Sequence, residues 1–396
     1  MSGQIGQGVI VVRVNFPSLG EQYSATGGHP SGFDYLRIIL SISIIAVHSC
    51  LTSYGLAAND ALYEGPFGRF CNLLVPMFFA LSGFLVAGSL ERSRTLGMFL
   101  GLRAIRIFPA LFVEVILSAF ILGPLVTTLP PQLYFSDPLF FKYLLNAIGD
   151  VHFLLPGVFA DNPWPRVVNG QLWTIPYELY CYCAISIVAL LGLKRWRVLG
   201  PIFVVVVSIG YLLWVLHGTE GSVVPGTNGV RKPFLVATFL AGVSIYFYRE
   251  VLPWSGWHGV AALAVSIALP SLGQYAAFLS PAPVAYATVC LGLMNPSRKI
   301  LRGADYSYGI YLYGFAVQQT TMHFLPEARV WYLNVLISLP TAILVAAASW
   351  HFVERPANGL RSVLKRLEDQ FLAFRLKRPF APQAQDTRAN FAKLEN

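Results

Sequence analysis

Hydrophobic residues in this chain fall into long blocks separated by short polar stretches. The blocks cover residues 34–52, 72–90, 107–127, 172–192, 198–217, 233–249, 257–273, 283–295, 305–324 and 331–352. An α-helix needs about 20 apolar residues to cross the hydrocarbon core of a bilayer. The pattern therefore predicts an all-α, polytopic integral membrane protein with about ten transmembrane helices, although the short block 283–295 leaves that count open by one.

Composition supports a membrane protein and excludes several other classes. The 396 residues are 55% hydrophobic and only 12% charged, whereas ordinary globular domains carry about 25% charged residues. About ten spans would use roughly half of the chain, which leaves no room for a large soluble domain. The composition thus excludes a tethered soluble enzyme of ordinary size, and also collagen-like, coiled-coil and disordered chains.

The positive charge predicts an orientation. The chain holds 28 Lys and Arg against 19 Asp and Glu, for a net charge of +9. With the N-terminus inside, the inner connections contain Arg92, Arg94, Arg103, Arg106, Lys194, Arg195, Arg197, Arg249, Arg298, Lys299 and Arg302. Cytoplasmic loops carry such an excess, so we expect both termini in the cytoplasm and an even number of spans. The basic excess is then an orientation signal facing anionic lipid, and no nucleic-acid partner is expected.

Three regions follow from these patterns. Residues 1–33 form a Gly-rich cytoplasmic lead without a signal-peptide cleavage pattern. Residues 34–353 form the transmembrane domain, and its Pro-rich and aromatic segment 128–170 is extracytoplasmic, with a helix that lies in the interface or re-enters. Residues 354–396 form a basic cytoplasmic tail. Apolar tail residues at helical spacing predict an amphipathic helix on the inner leaflet; they are Leu360, Val363, Leu364, Leu367 and Phe371.

The first block carries the strongest candidate for chemistry. Arg37 and His48 are eleven positions apart, which is about three helical turns and ~16 Å of rise, so they share one face. Ionisable residues inside a span are costly and mark functional sites. Arg37 can instead extend to the lipid headgroups, and His48 can hydrogen-bond a neighbouring helix. An imidazole also exchanges protons near neutral pH, which makes His48 a catalytic candidate.

Two further motifs bring charge to the membrane boundaries. Arg103 and Arg106 are three apart on one helical face; they are either orientation signals or a clamp for phosphate, which guanidinium binds bidentately. Glu178, just after Pro176, is predicted at a depth similar to His48, where it would orient the imidazole or form a structural hydrogen bond. Glu114 is a second intramembrane acid without an evident partner. No metal-binding cluster occurs, so no metal is expected.

The order of the motifs resembles the membrane-bound acyltransferase family 3, whose members O-acylate polysaccharides, Nod factors, macrolides and cell-wall sugars. The motifs are Arg37 with His48, FFALSGFL, Arg103 and Arg106 before Phe108-Pro109, LWTIPYELYCY around Glu178, YSYGIYLY, and the terminal ERP. Each is weak alone, but together they cover most of the chain in a specific order. In one departure, Gly314 stands where many members have His, so no role is carried over to that position.

The resemblance implies a multi-pass enzyme of the bacterial inner (plasma) membrane. Such an enzyme transfers an acyl group, most often acetyl, from cytoplasmic acyl-CoA to a hydroxyl of a glycan or glycolipid. Arg37, Arg103 and Arg106 would then hold the CoA phosphates. His48, oriented by Glu178, would act as general base or would carry the acyl group transiently.

Aromatic residues of the outer segment, Tyr134 and Trp164 among them, are candidates for stacking on an acceptor sugar or are an interfacial belt. Two other functions fit the same features. A transporter of a polysaccharide precursor or amphiphile also has many spans and intramembrane charges. A non-catalytic membrane partner of a glycan synthesis complex would use His48 and Glu178 for assembly.

Overall fold

The computed structural model describes residues 16–216, 232–272, 276–296 and 304–377. Within these ranges the regular structure is helical, and no β-strand occurs. The helices are α1 (Leu19–Ser24), α2 (Ser31–Tyr54), α3 (Leu56–Glu64), α4 (Gly68–Arg92), α5 (Leu96–Leu117), α6 (Gly123–Val126), α7 (Pro131–Ser136), α8 (Pro138–Leu144), α9 (Ile175–Leu190), α10 (Leu199–Leu216), α11 (Lys232–Phe247), α12 (Gly256–Ala268), α13 (Pro281–Gly292), α14 (Ser307–Phe324), α15 (Trp331–Ser349), α16 (Arg355–Asn358) and α17 (Leu360–Lys377).

Several short segments extend these helices in other helical forms. Two π-helical segments, Ser118–Leu122 and Trp350–Glu354, continue α5 and α15. The 3₁₀ segments are Leu145–Ile148, Gly170–Thr174, Leu269–Leu272, Ala276–Leu279 and Pro326–Ala328. π-helical turns are rare and occur often at functional sites. Here the first follows a helix that carries the buried Glu114, and the second itself ends in the buried Glu354.

The all-α class is confirmed, and each of the ten predicted blocks coincides with a helix. Five helical segments are long and apolar enough to cross a membrane: Ser31–Tyr54, Gly68–Arg92, Leu96–Val126, Gly170–Leu190 and Trp331–Phe374. Other apolar helices are shorter. The 12 residues of α13 rise only about 18 Å, less than the ~30 Å hydrocarbon core. The protein is therefore a multi-pass membrane protein, while the count of ten spans and the cytoplasmic termini stay predictions.

The predicted lead and tail are described in part. Residues 1–15 and 378–396 lie outside the described residues, and so do Arg298, Lys299 and Arg302. The tail forms the helix α17, on which Leu360, Leu367 and Phe371 are exposed. Its contact with the inner leaflet stays a prediction.

Two glycines let α4 and α11 cross in backbone contact. A Cβ added at Gly83 would lie 2.0 Å from the carbonyl oxygen of Phe239. A Cβ added at Gly242 would lie 2.1 Å from the carbonyl oxygen of Ala80. Small residues allow this close approach between membrane helices, where packing supplies much of the attraction. The crossing fixes α4 as one wall of the candidate site described below.

Helix α14 is packed between α2 and α15. Its residue Ile310 forms a small buried cluster with Ile45 of α2 and Ala346 of α15. Gln318 donates to the carbonyl oxygen of Ile45 over 2.9 Å, and Gly309 lets α15 approach at Ala346. Because α14 contacts both neighbours along its length, side chains at its two ends hold fixed positions relative to α2.

Pro176 lies in the first turn of α9, after the 3₁₀ segment Gly170–Thr174. A proline is well accommodated there, since its missing N–H would have no partner inside the helix. A proline at this position does not interrupt the helix, and the chain changes from 3₁₀ to α just before it.

The outer segment 128–170 folds back over the end of α14. After α7, α8 and a 3₁₀ turn, Gly149 reverses the chain with φ of +89°. Asn162 donates to Gln319 of α14 over 3.0 Å, and Gln319 donates to the carbonyl oxygens of Trp164 and Val167 over 2.8 and 2.7 Å. These bonds fix the segment against α14.

We expect Gly83→Ala to destabilise the fold, because its methyl group would push α4 and α11 apart. Overpacking of this kind costs about 1–3 kcal/mol. Gly210→Ala in α10 is the matched control, since a Cβ there meets nothing within 4 Å and alanine is the better helix former. Thermal unfolding of the detergent-purified variants should show a lower Tm for Gly83→Ala alone. An unchanged Tm would contradict the described crossing.

Candidate active site

A cavity of about 160 Å³ lies between α2, α4, α5, α9 and α14. One water molecule needs about 10–15 Å³ of such volume, so the cavity admits a ligand group as large as about ten waters. All three arginines predicted from the sequence line it, namely Arg37, Arg103 and Arg106, here called the arginine cluster. Most of the remaining lining is apolar, which gives the cavity one cationic end and hydrophobic walls.

Two members of the arginine cluster are joined by one carboxylate. Asp305 Oδ2 lies 3.2 Å from Arg37 Nη1 and 2.9 Å from Arg106 Nη2. Arg37 Nη2 also contacts Asp34 Oδ1 at 2.6 Å, and Arg106 Nη1 contacts Glu354 Oε2 at 3.4 Å. The Glu354 side chain is only 5% exposed. These pairs hold the two guanidinium groups side by side at the cavity wall.

Arg103 has spare capacity for an anion. Its Nη2 donates to Ser89 Oγ over 3.1 Å, while its buried Nε has no hydrogen-bond partner among the described residues. Within that part of the chain no carboxylate lies at ion-pair distance from it. The planar guanidinium group binds phosphate and carboxylate through two parallel hydrogen bonds. Arg103 is therefore the member best able to take an anionic ligand.

Glu178 lies on the same side of the cavity as the arginine cluster. It belongs to the first turn of α9, where the helix dipole favours a negative charge. Its Oε1 accepts a hydrogen bond from Tyr182 over 2.5 Å. The charges of Arg106 and Arg103 act on the carboxyl group. Its environment is thus set by hydroxyl and guanidinium groups.

His48 is partly buried and lies next to Gln171. Its Nδ1 is 3.3 Å from Gln171 Nε2, and its ring packs edge-on against Phe315 with centroids 5.4 Å apart. Phe315 packs in turn against Trp164, also at 5.4 Å. A Cβ at Gly314 would lie 3.5 Å from Gln171 Nε2. Two atoms of Ile45 lie closer to such a Cβ, at 2.9 Å, so Gly314 leaves room for Ile45 next to Gln171.

Hydrogen-bonded side chains connect the lining of the cavity with the neighbour of His48. Thr174 and Tyr311 line the cavity, whereas His48 is not among its lining residues. Thr174 Oγ1 lies 2.8 Å from Tyr311 Oη and donates to the carbonyl oxygen of Gln171 over 3.2 Å. The Gln171 side chain in turn contacts His48. The described cavity therefore does not reach the imidazole, and a connection between the arginine cluster and His48 stays a prediction.

Two sequence-based expectations meet a different geometry. Glu178 contacts Tyr182 while Gln171 contacts His48, so the structure does not bring Glu178 to the imidazole. Counting turns gave a depth for Glu178 but not the direction of its side chain, which contacts Tyr182 and lies in the field of Arg106 and Arg103. Tyr134 is fully buried and donates to the carbonyl oxygen of Ala119, which removes it as a sugar-stacking candidate.

Glu114, which had no evident partner in the sequence, anchors the turn that carries Gln171. It is 1% exposed, and its Oε1 accepts from Ser118 over 2.9 Å and from Asn169 over 2.8 Å. Asn169 also donates to Leu312 and accepts from the backbone N–H of Gln171, which caps the 3₁₀ segment. Glu114 therefore holds the position of Gln171 indirectly.

Three site residues were missed in the sequence: Asp305, Glu354 and Gln171. Glu354 belongs to the ERP motif, which also fits an ordinary helix end, and Asp305 precedes a run of tyrosines that also fits an interfacial belt. One physical rule could have identified them, since a charged side chain inside a membrane needs a partner of opposite charge. By this rule Arg37 and Arg106 require acidic residues from other segments. An amide such as Gln171 gives no comparable signal.

Comparisons with known proteins agree with these motifs. The family model described as an acyltransferase domain (acyltransferase 3) matches residues 31–353. Nodulation protein 10 of Rhizobium leguminosarum bv. viciae is 30% identical, over 87% of this chain and 98% of that protein. An O-acetyl transferase of Shigella phage Sf6 is 27% identical, over 82% of this chain and 94% of that protein. No solved structure matches the chain.

The family match begins at the first residue of α2 and extends past the end of α15. It includes the arginine cluster, His48 and Gln171, and the 30% identity to a relative covered almost end to end supports it. The chain therefore belongs to the membrane-bound acyltransferase family 3.

Proposed function

We propose that this protein is a membrane O-acyltransferase of the bacterial inner membrane that uses cytoplasmic acyl-CoA, with acetyl as the acyl group. The acceptor is a hydroxyl of a glycan or glycolipid. The observation that carries the proposal is the convergence of Arg37, Arg103 and Arg106 on one cavity. The name of the phage relative, an O-acetyl transferase, supports the choice of oxygen as acceptor atom and of acetyl as acyl group.

The arginine cluster suits a donor that carries several phosphates. Arg37 and Arg106 are held in place by carboxylates, so their guanidinium groups are preorganised and cost little further side-chain entropy. Arg103 has an unpartnered Nε and supplies new hydrogen bonds to phosphate. The apolar walls then accept the pantetheine arm. Along α2, Arg37 and His48 are separated by ~16 Å of rise, which an extended arm can cover.

In the proposed reaction His48 acts as general base. As the acceptor oxygen attacks the thioester carbonyl carbon, imidazole Nε2 takes the hydroxyl proton. The new C–O bond forms, the C–S bond breaks, and the leaving thiolate takes the proton back from His48. The products are an ester and CoA thiol, and the imidazole returns to its neutral form. No further reactant is needed.

The proposal assigns Gln171, and not Glu178, to the orientation of His48. Nε2 can accept a proton only if Nδ1 holds the ring proton, since a neutral imidazole has one donor and one acceptor nitrogen. Gln171 Oε1 is buried without a hydrogen-bond partner among the described residues. Rotation of this amide by 180° brings Oε1 to Nδ1, where it accepts the ring proton. Glu178 instead orders the guanidinium groups with which it shares the cavity.

The Thr174–Tyr311 pair then acts as a gate between donor and base. Its two hydroxyl groups line the cavity and are hydrogen-bonded to each other. In this proposal the acyl end of the donor separates them to reach His48. On the far side of His48, the partly exposed Trp164 offers an aromatic face to a sugar ring.

His48→Ala should lower acyl transfer by about 10²–10⁴-fold, the usual contribution of a general base. Transfer is measured with radiolabelled acetyl-CoA and membranes that contain the natural acceptors. Binding of acetyl-CoA should stay normal, because His48 lies outside the cavity. The control is His351→Ala, at an exposed histidine. Full activity of His48→Ala would remove the proposed base.

Arg103→Gln should raise KM for acetyl-CoA about tenfold or more, since a hydrogen bond to a charged group contributes about 1.5–3 kcal/mol. It leaves the Asp305-linked pair Arg37 and Arg106 intact, so the fold should survive. Arg195→Gln removes an exposed arginine and serves as the charge-matched control. Acyl-CoA titrations of initial rate give both constants. A KM equal to that of the control would argue against the phosphate clamp.

Gln171→Met should lower kcat by about 10–100-fold with little change in KM for acetyl-CoA, because it keeps the volume but loses the hydrogen bond that sets the imidazole orientation. Gln171→Glu keeps an acceptor oxygen for Nδ1 and should recover much of the rate. Rates at saturating donor separate kcat from KM. A wild-type kcat in Gln171→Met would show that Gln171 only fills space, and equal losses in both variants would contradict the acceptor role of its side-chain oxygen.

A further inference from the structure

The tail helix α17 packs antiparallel against the beginning of α5. Thr95, the N-cap of α5, donates through its backbone N–H and its hydroxyl to Glu368 Oε1, over 2.9 and 2.7 Å. Further along α5, Leu364 fills the space at Gly101, where an added Cβ would lie 2.8 Å from its Cδ1. Residue numbers thus rise on α5 as they fall on α17.

This register carries Arg361 to the arginine cluster. Arg361 is three residues before Leu364, on the same helical face. Continuing the register from Gly101 and Leu364 brings it to the turn of α5 that carries Arg103 and Arg106. The positive charges of both act on the Arg361 guanidinium. The register of the two helices thus places a fourth guanidinium group, exposed and from outside the family match, beside the arginine cluster without making it part of the cavity lining.

Some of the arginines in this region are paired with carboxylates and others are not. Arg37 and Arg106 are paired with carboxylates. Arg103 and Arg361 have no carboxylate at ion-pair distance among the residues that the structure describes. Like charges placed together repel each other unless a counter-charge lies between them. A ligand phosphate supplies that charge, and two guanidinium groups match its oxygens in number and geometry.

We propose that Arg361 and Arg103 form a second phosphate-binding site beside the cavity, so that α17 is part of the ligand-binding machinery. The phosphate comes either from the nucleotide end of the donor or from the headgroup of an anionic lipid. The first source rests on the proposed acyl-CoA function; the second does not. In both cases the tail helix links occupancy of the site to the position of α5.

The test uses the full-length protein in phosphatidylcholine nanodiscs and compares CoA with dephospho-CoA, which lacks the 3′-phosphate. Calorimetric titration gives both affinities. If the site binds the nucleotide phosphate of the donor, the wild-type protein should bind CoA about tenfold more tightly than dephospho-CoA. The Arg361→Gln variant should bind the two compounds equally well. Arg366→Gln, on an exposed position of the same helix, should retain the preference for CoA.

A second arm tests the lipid. If the site binds a lipid phosphate, adding phosphatidylglycerol to the nanodiscs should raise the Tm of the wild-type protein and of Arg366→Gln, but not that of Arg361→Gln. CoA and dephospho-CoA should then bind with equal affinity. Arg361→Lys keeps the charge and should retain part of either effect.

The proposal is overturned if Arg361→Gln matches Arg366→Gln in both arms. CoA binding that is retained in that case leaves the acyl-CoA function standing. Conversely, a lipid effect that depends on Arg361, found together with no binding of CoA or acetyl-CoA, would support the site and contradict the acyl-CoA donor.

Discussion

The Asp305 carboxylate, held between Arg37 and Arg106, is the interaction on which the cavity depends. It joins α2, α5 and the residues before α14, and Glu354 adds the end of α15 to the same set. Removing one partner of a buried ion pair leaves an uncompensated charge and costs several kcal/mol. Four segments far apart in sequence are thereby held in one arrangement. The wall that carries the arginine cluster is consequently rigid before any ligand arrives.

The site divides into a charged part and a neutral part. Arginines and carboxylates lie at one end of the cavity, whereas His48 contacts an amide and a phenyl ring. This separation keeps the fixed charges away from the imidazole, where a nearby carboxylate would favour the protonated ring. A general base needs the neutral ring, so an amide neighbour suits the proposed chemistry better than the glutamate expected from the sequence.

Periodicity and charge predicted much of this arrangement. The ten hydrophobic blocks located the helices, and spacing along single helices brought Arg37, Arg103 and Arg106 to one end. The spacing of residues along one helix does not predict which side chains of different helices contact each other. The partner of His48 depends on which way a 3₁₀ turn aims Gln171, and that turn is set by Asn169 and Glu114 from different segments. Pairing of Asp305 and Glu354 with arginines likewise exists only in the folded protein.

The boundary of the family match is not the boundary of the charged network. The match ends at residue 353, but Glu354, the next residue, is the buried partner of Arg106. Beyond it, α17 is fixed to the N-cap of α5 by Glu368 and brings Arg361 to the same region. Electrostatic interactions between buried groups are strong and weakly screened. Glu354, just after the matched domain, balances the charge of Arg106 inside it, so this residue belongs to the same physical unit as the arginine cluster.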